Sequence, residues 1–315
     1  MPISVEQITN TLLMVRPARF GYNPQTADSN AFQQPNEVLS DKEVALRAVD
    51  EFDGLVHTLR EAGITVVVVE DTVEPHKPDA VFPNNWVSFH QDGTIVTYPM
   101  LATQRRQECR ADVLLTLRER YGFTRRIALE EQETKGRFLE GTGSLVLDRV
   151  HRIAYACHSN RTHPEVLSAF AQKMNFRIVL FNAVDMEGQA IYHTNVMMAL
   201  GTTFVVICLD TIRSTDERSA LEAELAQTNK AVIPISLEQM VAFAGNMLQV
   251  VNDRGDTYLI MSEQAYRSLQ PDQIDQIEQH TGILFSPLKT IETYGGGSAR
   301  CMLAEIFYPG MLTIK

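Results

Sequence analysis

"NWVSFHQDGTIVTYPM", residues 85–100, reads as an apolar run, a polar turn and a second apolar run. Asp92-Gly93 supplies the turn chemistry of a tight hairpin. The same form recurs as "SLVLDRVHRIAYAC" from Ser144, "NVMMALGTTFVVICL" from Asn195 and "NMLQVVNDRGDTYLIM" from Asn246. A fifth segment, "RCMLAEIF" from Arg300, shares the opening but lacks a clear turn. The starts are separated by 59, 51, 51 and 54 residues. Self-similarity at about 50 residues points to repeated units rather than a single sheet.

Helical patterns lie between the hairpins. Residues 103–121 place Val113, Leu117 and Tyr121 on one face, and 164–175 do the same with Val166, Leu167, Phe170 and Met174. Residues 214–228 open on a capping box, Ser214 with Glu217, and 262–280 form a helix broken at Pro271. Ahead of the first hairpin, Ser40 with Glu43 caps a helix carrying Val44, Ala45, Ala48, Val49, Phe52, Val56 and Leu59, stopped at Gly63. "ITVVVVE", residues 64–70, follows as a buried strand. The pattern predicts an α/β fold of five hairpin–helix–strand units closed around an axis. A linear solenoid is disfavoured because no polar capping repeats are visible.

Composition narrows the function. At 315 residues with 44% hydrophobic and 21% charged positions, the chain reads as one globular unit over 1–315. A net charge of −11 argues against nucleic acid or an anionic membrane as partner. No run of about 18 apolar residues occurs, and no basic, apolar leader opens the chain. Four dispersed cysteines, with no CxxC and no HExxH, indicate neither a disulfide framework nor a metal site, and reduced thiols fit a cytoplasmic protein.

The segment in front of each hairpin is polar or glycine-rich. Asp79 and Asn84-Asn85 precede the first, Glu140-Gly-Thr-Gly the second, His193-Thr-Asn195 the third, Gly245-Asn246 the fourth, and Gly295–Cys301 the fifth. In a closed array these positions converge. A carboxylate, an imidazole and a thiol then share one pocket, the pattern of nucleophilic catalysis by an activated thiolate. Singly, Cys301 reads as a small buried apolar residue, His193 as a structural histidine and "EGTGS" as a turn. Their equivalence within a repeat gives the combination its weight.

"PDAVFPNNW" (78–86), "FLEGTGSLVL" (138–147), "IYHTNVMMALG" (191–201) and "GGGSARCMLAE" (295–305) occur in the order found in the guanidino-group-modifying superfamily. The chain resembles these enzymes (arginine deiminase, dimethylarginine hydrolase and the amidinotransferases) from about residue 12 to residue 310, and is most similar to the citrulline-utilisation hydrolases. The resemblance implies a pentein, a five-bladed α/β propeller of ββαβ units with pseudo-fivefold symmetry. It implies Cys301 as nucleophile, His193 as acid then base, Glu140 as the carboxylate that orients His193 or binds substrate nitrogens, and Asp79 as a ligand of the substrate's N–H groups. It also implies that Arg161 in "HSNRTHPE", with Arg105 or Arg106 of "ATQRRQE", holds the substrate carboxylate. No cofactor is implied, and the oligomeric state is left open.

One departure bears on the substrate. Dimethylarginine hydrolases usually carry two acids where this chain has Asn84 and Asn85. A neutral amide gains no charge attraction to a guanidinium but serves both the C=O and the NH₂ of a ureido group. The expected reaction is therefore hydrolysis of citrulline to ornithine, ammonia and carbon dioxide. Alternatives are an arginine deiminase or dihydrolase, a dimethylarginine hydrolase, an amidinotransferase, and a non-catalytic binding module on the same propeller. Gly295–Gly297 are expected to turn the chain into the pocket mouth, where a side chain would occupy substrate space. Arg300, if it points inward, is placed to lower the thiol pKa.

Overall fold

The computed structural model describes residues 6–27, 29–34 and 39–311. Among them lie five three-stranded sheets of one pattern, an antiparallel pair extended by a parallel third strand. In the second sheet Val87–His90 pairs antiparallel with Thr94–Thr97, and Arg125–Ala128 adds parallel to the latter. The third, fourth and fifth sheets repeat this with Val146–Asp148, Met198–Leu200 and Leu248–Val251 as first strands. Each parallel step is bridged by helix: Ala111–Tyr121, Pro164–Met174, Thr215–Gln227, and the pair Glu263–Ser268 and Pro271–Glu278. A parallel connection requires such a crossover, and burying one helical face against the sheet stabilises both.

The first sheet explains why the fifth sequence segment had no turn. Among the described residues, no strand follows its short strand Ala304–Glu305 in sequence. It pairs antiparallel with Thr11–Arg16, nearly three hundred residues earlier. Thr65–Glu70 completes that sheet in parallel, reached through the helix Asp41–Glu61. The strand Thr11–Arg16 was not anticipated. "TLLMVR" is buried on both sides and shows no alternation, and its partner is remote.

Other differences have local causes. The helix expected over 103–121 covers only Ala111–Tyr121. Residues Arg105–Glu108 form a separate 3₁₀ turn because both of its end side chains are buried and paired with each other. Ser214 caps the amide of Glu217, but the reciprocal half of a capping box is not formed, whereas Ser40 and Glu43 form both halves. Pro271 splits the 262–280 segment as expected, sitting in the first turn of its second helix where no amide donor is lost. No helix among the described residues is long and apolar enough to cross a membrane.

Short helical turns stand in front of the first strands: Pro83–Asn85, Gly141–Ser144, Thr194–Val196 and Ala299–Met302, with the Gly245 turn as the fifth. Hydrogen bonds join neighbours. Thr142 Oγ1 donates to the Asn84 carbonyl (3.3 Å), Thr194 Oγ1 to that of Ser144 (2.7 Å), and Asn246 Nδ2 to that of Asn195 (2.9 Å). The Arg300 amide donates to Asn246 Oδ1 (3.1 Å), and Ala299–Met302 touches Pro83–Asn85. The approach is tight. A Cβ on Gly141 would lie 2.3 Å from the Asn84 carbonyl oxygen, and one on Gly245 equally close to that of Val196.

The first sheet depends on packing around its long-range pair. Leu13 is fully buried opposite Ala304, in a cluster with Trp86, Phe89 and Ile306. Leu13→Ala should lower the unfolding free energy by about 2–5 kcal/mol in urea titrations. Leu46→Ala, on the exposed face of the 41–61 helix, should change it by less than about 0.5 kcal/mol. Equal effects would show that the pair does not hold the first sheet together.

Candidate active site

Cys301 lies in the turn Ala299–Met302, buried, with two amide side chains on its sulfur. Asn246 Nδ2 lies 3.3 Å from Sγ and Asn195 Nδ2 3.5 Å. Both come from equivalent turns of neighbouring units, and both point an amide N–H at the sulfur.

Glu140 and His193 are also buried and meet at 2.8 Å through Glu140 Oε2 and His193 Nε2. Oε1 accepts from the Leu101 amide (3.0 Å), and Arg161 Nη1 lies 3.2 Å from Oε2. Burial alone would raise the carboxyl pKa, but Arg161 and the His193 hydrogen bond outweigh it and hold Glu140 well below the usual carboxylate range. Burial lowers the imidazole of His193 to about 4, with Glu140 opposing the fall. The ring is therefore neutral at pH 7, oriented at Nε2, with Nδ1 and Cε1 packed against Gly143. A Cβ on Gly143 would lie 2.7 Å from both atoms and 2.5 Å from Asn85 Nδ2.

Asp79 and Asn85 line the same pocket. Asn23 Nδ2 donates to Asp79 Oδ2 (2.7 Å), while Oδ1 is buried without a partner. Burial raises the Asp79 pKa, with Arg105 as the main opposing charge. Arg105 Nη1 donates to Asn85 Oδ1 (2.9 Å), which leaves Asn85 Nδ2 buried and unpartnered. Asn84 does not line this pocket. Its carbonyl serves the ring of turns, and neither polar atom of its buried side chain has a partner.

The three arginines expected to hold a carboxylate have different surroundings. Arg105 lines the pocket, but its Nε and Nη2 are committed to Glu108 at 2.9 and 3.0 Å. Arg106 does not reach the pocket. It donates to the carbonyls of Met100 and Leu101 and lies beside Glu133. Arg161 lines the pocket, stacked 4.9 Å from the Tyr192 ring, with Nη2 on Ser29 Oγ (2.6 Å) and the Thr26 carbonyl. Its Nε alone has no partner. Arg300 does not point inward at the thiol but donates to the Leu303 carbonyl and to Glu305.

The glycine run packs more tightly than expected. Gly296 has φ +63° and ends the helix Lys289–Gly295 in the left-handed conformation, where glycine carries no Cβ penalty. A Cβ on Gly295 or Gly297 would strike Phe82, whose ring lines the same pocket. The carbonyls of Gly295 and Gly296 accept from Asn30, and that of Gly296 also from the Tyr192 hydroxyl at 2.6 Å. Asn195 and Asn246 stood in front of their hairpins in sequence but were not assigned to the site. The signal was present, since three of the five segments open on asparagine. Gly143 and Tyr192 lay inside motifs read from the sequence but were given no role, and Asn23 left no such signal.

A thiol beside two amide donors, an oriented neutral imidazole and a buried carboxylate can together supply a nucleophile for an electrophilic carbon and a group to carry the proton involved. Among the described residues, no group of three or more His, Cys, Asp or Glu is arranged to hold a metal.

Residues 16–308 match the family model described as N,N dimethylarginine dimethylhydrolase, eukaryotic. No curated protein matches the chain. Solved structures do. The product-bound N-terminal domain of ArgZ, an arginine dihydrolase from the ornithine–ammonia cycle in cyanobacteria, has a TM-score of 0.74 at 20% identity, covering 98% of this chain and 100% of that one. Unliganded AgrE gives 0.72 at 19% identity, covering 95% of this chain and 39% of that one. A dimethylarginine dimethylaminohydrolase adduct with S-methyl-L-thiocitrulline gives 0.63 at 14% identity, over 95% and 100%. These likenesses establish the fold.

The electrostatics of the pair can be measured directly. In a histidine-labelled NMR titration His193 should titrate near pH 4. Glu140→Gln should lower it further, because the carboxylate is what supports the imidazolium. A value near the ordinary 6.5, or an upward shift in the variant, would refute this account of the site.

Proposed function

The chain belongs to the N,N-dimethylarginine dimethylhydrolase family, hydrolases of C–N bonds other than peptide bonds, and we propose that it hydrolyses the ureido group of citrulline, as a single propeller domain of five blades. The observation that carries this reading is the amide of Asn85. Arg105 occupies its oxygen, so the free Nδ2 offers a donor to the pocket. A ureido group has a carbonyl to accept it and N–H groups for the unpartnered Asp79 Oδ1. A guanidinium has donors only, and a site built around hydrogen bonds rejects a mismatched head group strongly.

The proposed chemistry uses this chain's own residues. The Cys301 thiol passes its proton to His193 as Sγ bonds to the ureido carbon. Asn195 and Asn246 steady the charge on sulfur during that transfer. His193, held by Glu140, then gives the proton to the departing δ-nitrogen as the C–N bond breaks and ornithine leaves. Water, deprotonated by His193, attacks the remaining S-carbamoyl group. The C–S bond breaks, the thiol is restored, and the carbamate released falls apart to ammonia and carbon dioxide. Arg161 Nε is the donor left for the substrate carboxylate. The ligand is a small amino acid, no cofactor is required, and the reading places the enzyme in the cytoplasm.

A second reading, hydrolysis of arginine, is favoured by one feature. Asp79 keeps an unpaired carboxylate oxygen in the pocket, a partner suited to a guanidinium.

Two experiments test the proposal. Cys301→Ala and Cys301→Ser should stay folded and lose turnover by several orders of magnitude. Substantial residual activity would remove Cys301 from the role. In a panel of citrulline, arginine, agmatine and methylated arginine, citrulline should give ornithine and ammonia with the highest kcat/KM. Asn85→Asp should shift the preference toward arginine, because the free donor becomes a charged acceptor. Faster turnover of arginine by the unmodified protein would overturn the citrulline assignment.

A further inference from the structure

Behind the glycine run lies a buried carboxyl that the chemistry above does not use. Glu292 sits in the helix Lys289–Gly295 and is 2% exposed. Its Oε1 accepts a 2.6 Å hydrogen bond from Ser298 Oγ, and Ser298 is itself fully buried. The Glu292 carbonyl accepts from the Gly296 amide (2.9 Å), and the Ser298 carbonyl accepts from the Cys301 amide (3.0 Å). One residue thus ties the helix, the left-handed Gly296 and the turn carrying the thiol into a single connected path. Gly296 and Gly297 have no side chains to fix their backbone, and that path adds to the hold that Asn30 and Tyr192 have on the Gly296 carbonyl.

We propose that Glu292 is a positioning residue for Cys301, holding the Gly297–Cys301 segment in place through Ser298. The proposal rests on the reading of Cys301 as the nucleophile. The charged group acting on Glu292 is Glu51, from the helix Asp41–Glu61 packed alongside, whose carboxylate accepts from the amides of Thr290 and Ile291. Burial raises the Glu292 carboxyl to about 7, Glu51 adds to the rise, and the hydroxyls of Ser262 and Ser298 oppose it. The sign follows. Between the ordinary carboxyl range and about pH 7 the native state holds a proton that the unfolded chain has released. Stability from this group is therefore present at low pH and lost as pH rises through about 7. Glu292→Gln keeps the acceptor and the shape but cannot ionise.

The test measures iodoacetamide labelling of Cys301 by mass spectrometry, together with kcat and KM, from pH 5.5 to 8.5. Ser298→Ala should change the labelling rate at Cys301 by about fivefold or more. It should lower kcat by about tenfold with KM within about twofold. Glu292→Gln should keep kcat near the parent value at pH 6 and lose the transition near pH 7 in both kcat and Tm. The proposal is overturned if Ser298→Ala labels and turns over like the parent, or if Glu292→Gln retains the same transition. Should Ser298→Ala fail to fold, the isosteric Glu292→Gln decides alone. If Cys301→Ala retains activity, the nucleophile reading fails by that result, while the labelling of Cys301 still reports whether the segment is held.

Discussion

The site depends on the contacts that join the turns in front of the five sheets. Each unit contributes one short turn. A threonine hydroxyl, an asparagine amide or a backbone amide makes four of the joins, and Ala299–Met302 packs against Pro83–Asn85 at the fifth. These donors are buried, so losing one leaves an unpaired polar group at a cost of about 1–3 kcal/mol. Residues distant in sequence are thereby brought within ångströms: Asn85, Glu140, His193, Asn246 and Cys301 come from five different units. Gly141 and Gly245 permit the contact, because a methyl group at either would push neighbouring turns apart.

The same ring imposes an electrostatic constraint. Asp79, Glu108 and Glu140 share the interior with Arg105 and Arg161, all essentially buried. Burial pushes the Glu108 carboxyl up to about 8 despite its two hydrogen bonds from Arg105. A group of this kind is poorly tolerated unless each charge is paired and hydrogen-bonded. That need accounts for the sharing of Glu140 between His193 and Arg161, and for the commitment of Arg105 to Glu108 rather than to open space. It also separates the two arginines of "RRQE": one neutralises the interior, the other fastens nearby backbone carbonyls.

Much of this was legible in the sequence because it is periodic. Hairpins with polar turns, helices with apolar stripes and a polar segment before each hairpin are local patterns, and they located Glu140, His193 and Cys301 at matched positions. What remained hidden depends on partners far along the chain. The strand Thr11–Arg16 is recognisable only through Ala304–Glu305. The direction of Arg300 is set by Glu305 and the Leu303 carbonyl, and that of Arg106 by Glu133 and two carbonyls, none of which periodicity reveals. Asn23 joins the site from an irregular segment where no pattern operates. The amides Asn195 and Asn246 were visible but unassigned, because their task, facing a sulfur, appears only when the turns converge.

The first sheet has a consequence for how the protein is made. Its short strand follows the thiol by three residues and pairs with a strand laid down almost three hundred residues before. During synthesis the early strand Thr11–Arg16 and its parallel neighbour Thr65–Glu70 must wait with one edge open, an edge that invites pairing with other chains. The contact that closes it is among the most distant in the sequence, a topology that folds slowly. A ribosome-bound fragment ending before residue 304 would therefore carry an unpaired edge and an unfinished pocket together. Cys301 and the strand that seals the sheet arrive almost together, so an incomplete chain presents its open edge to a chaperone or a protease.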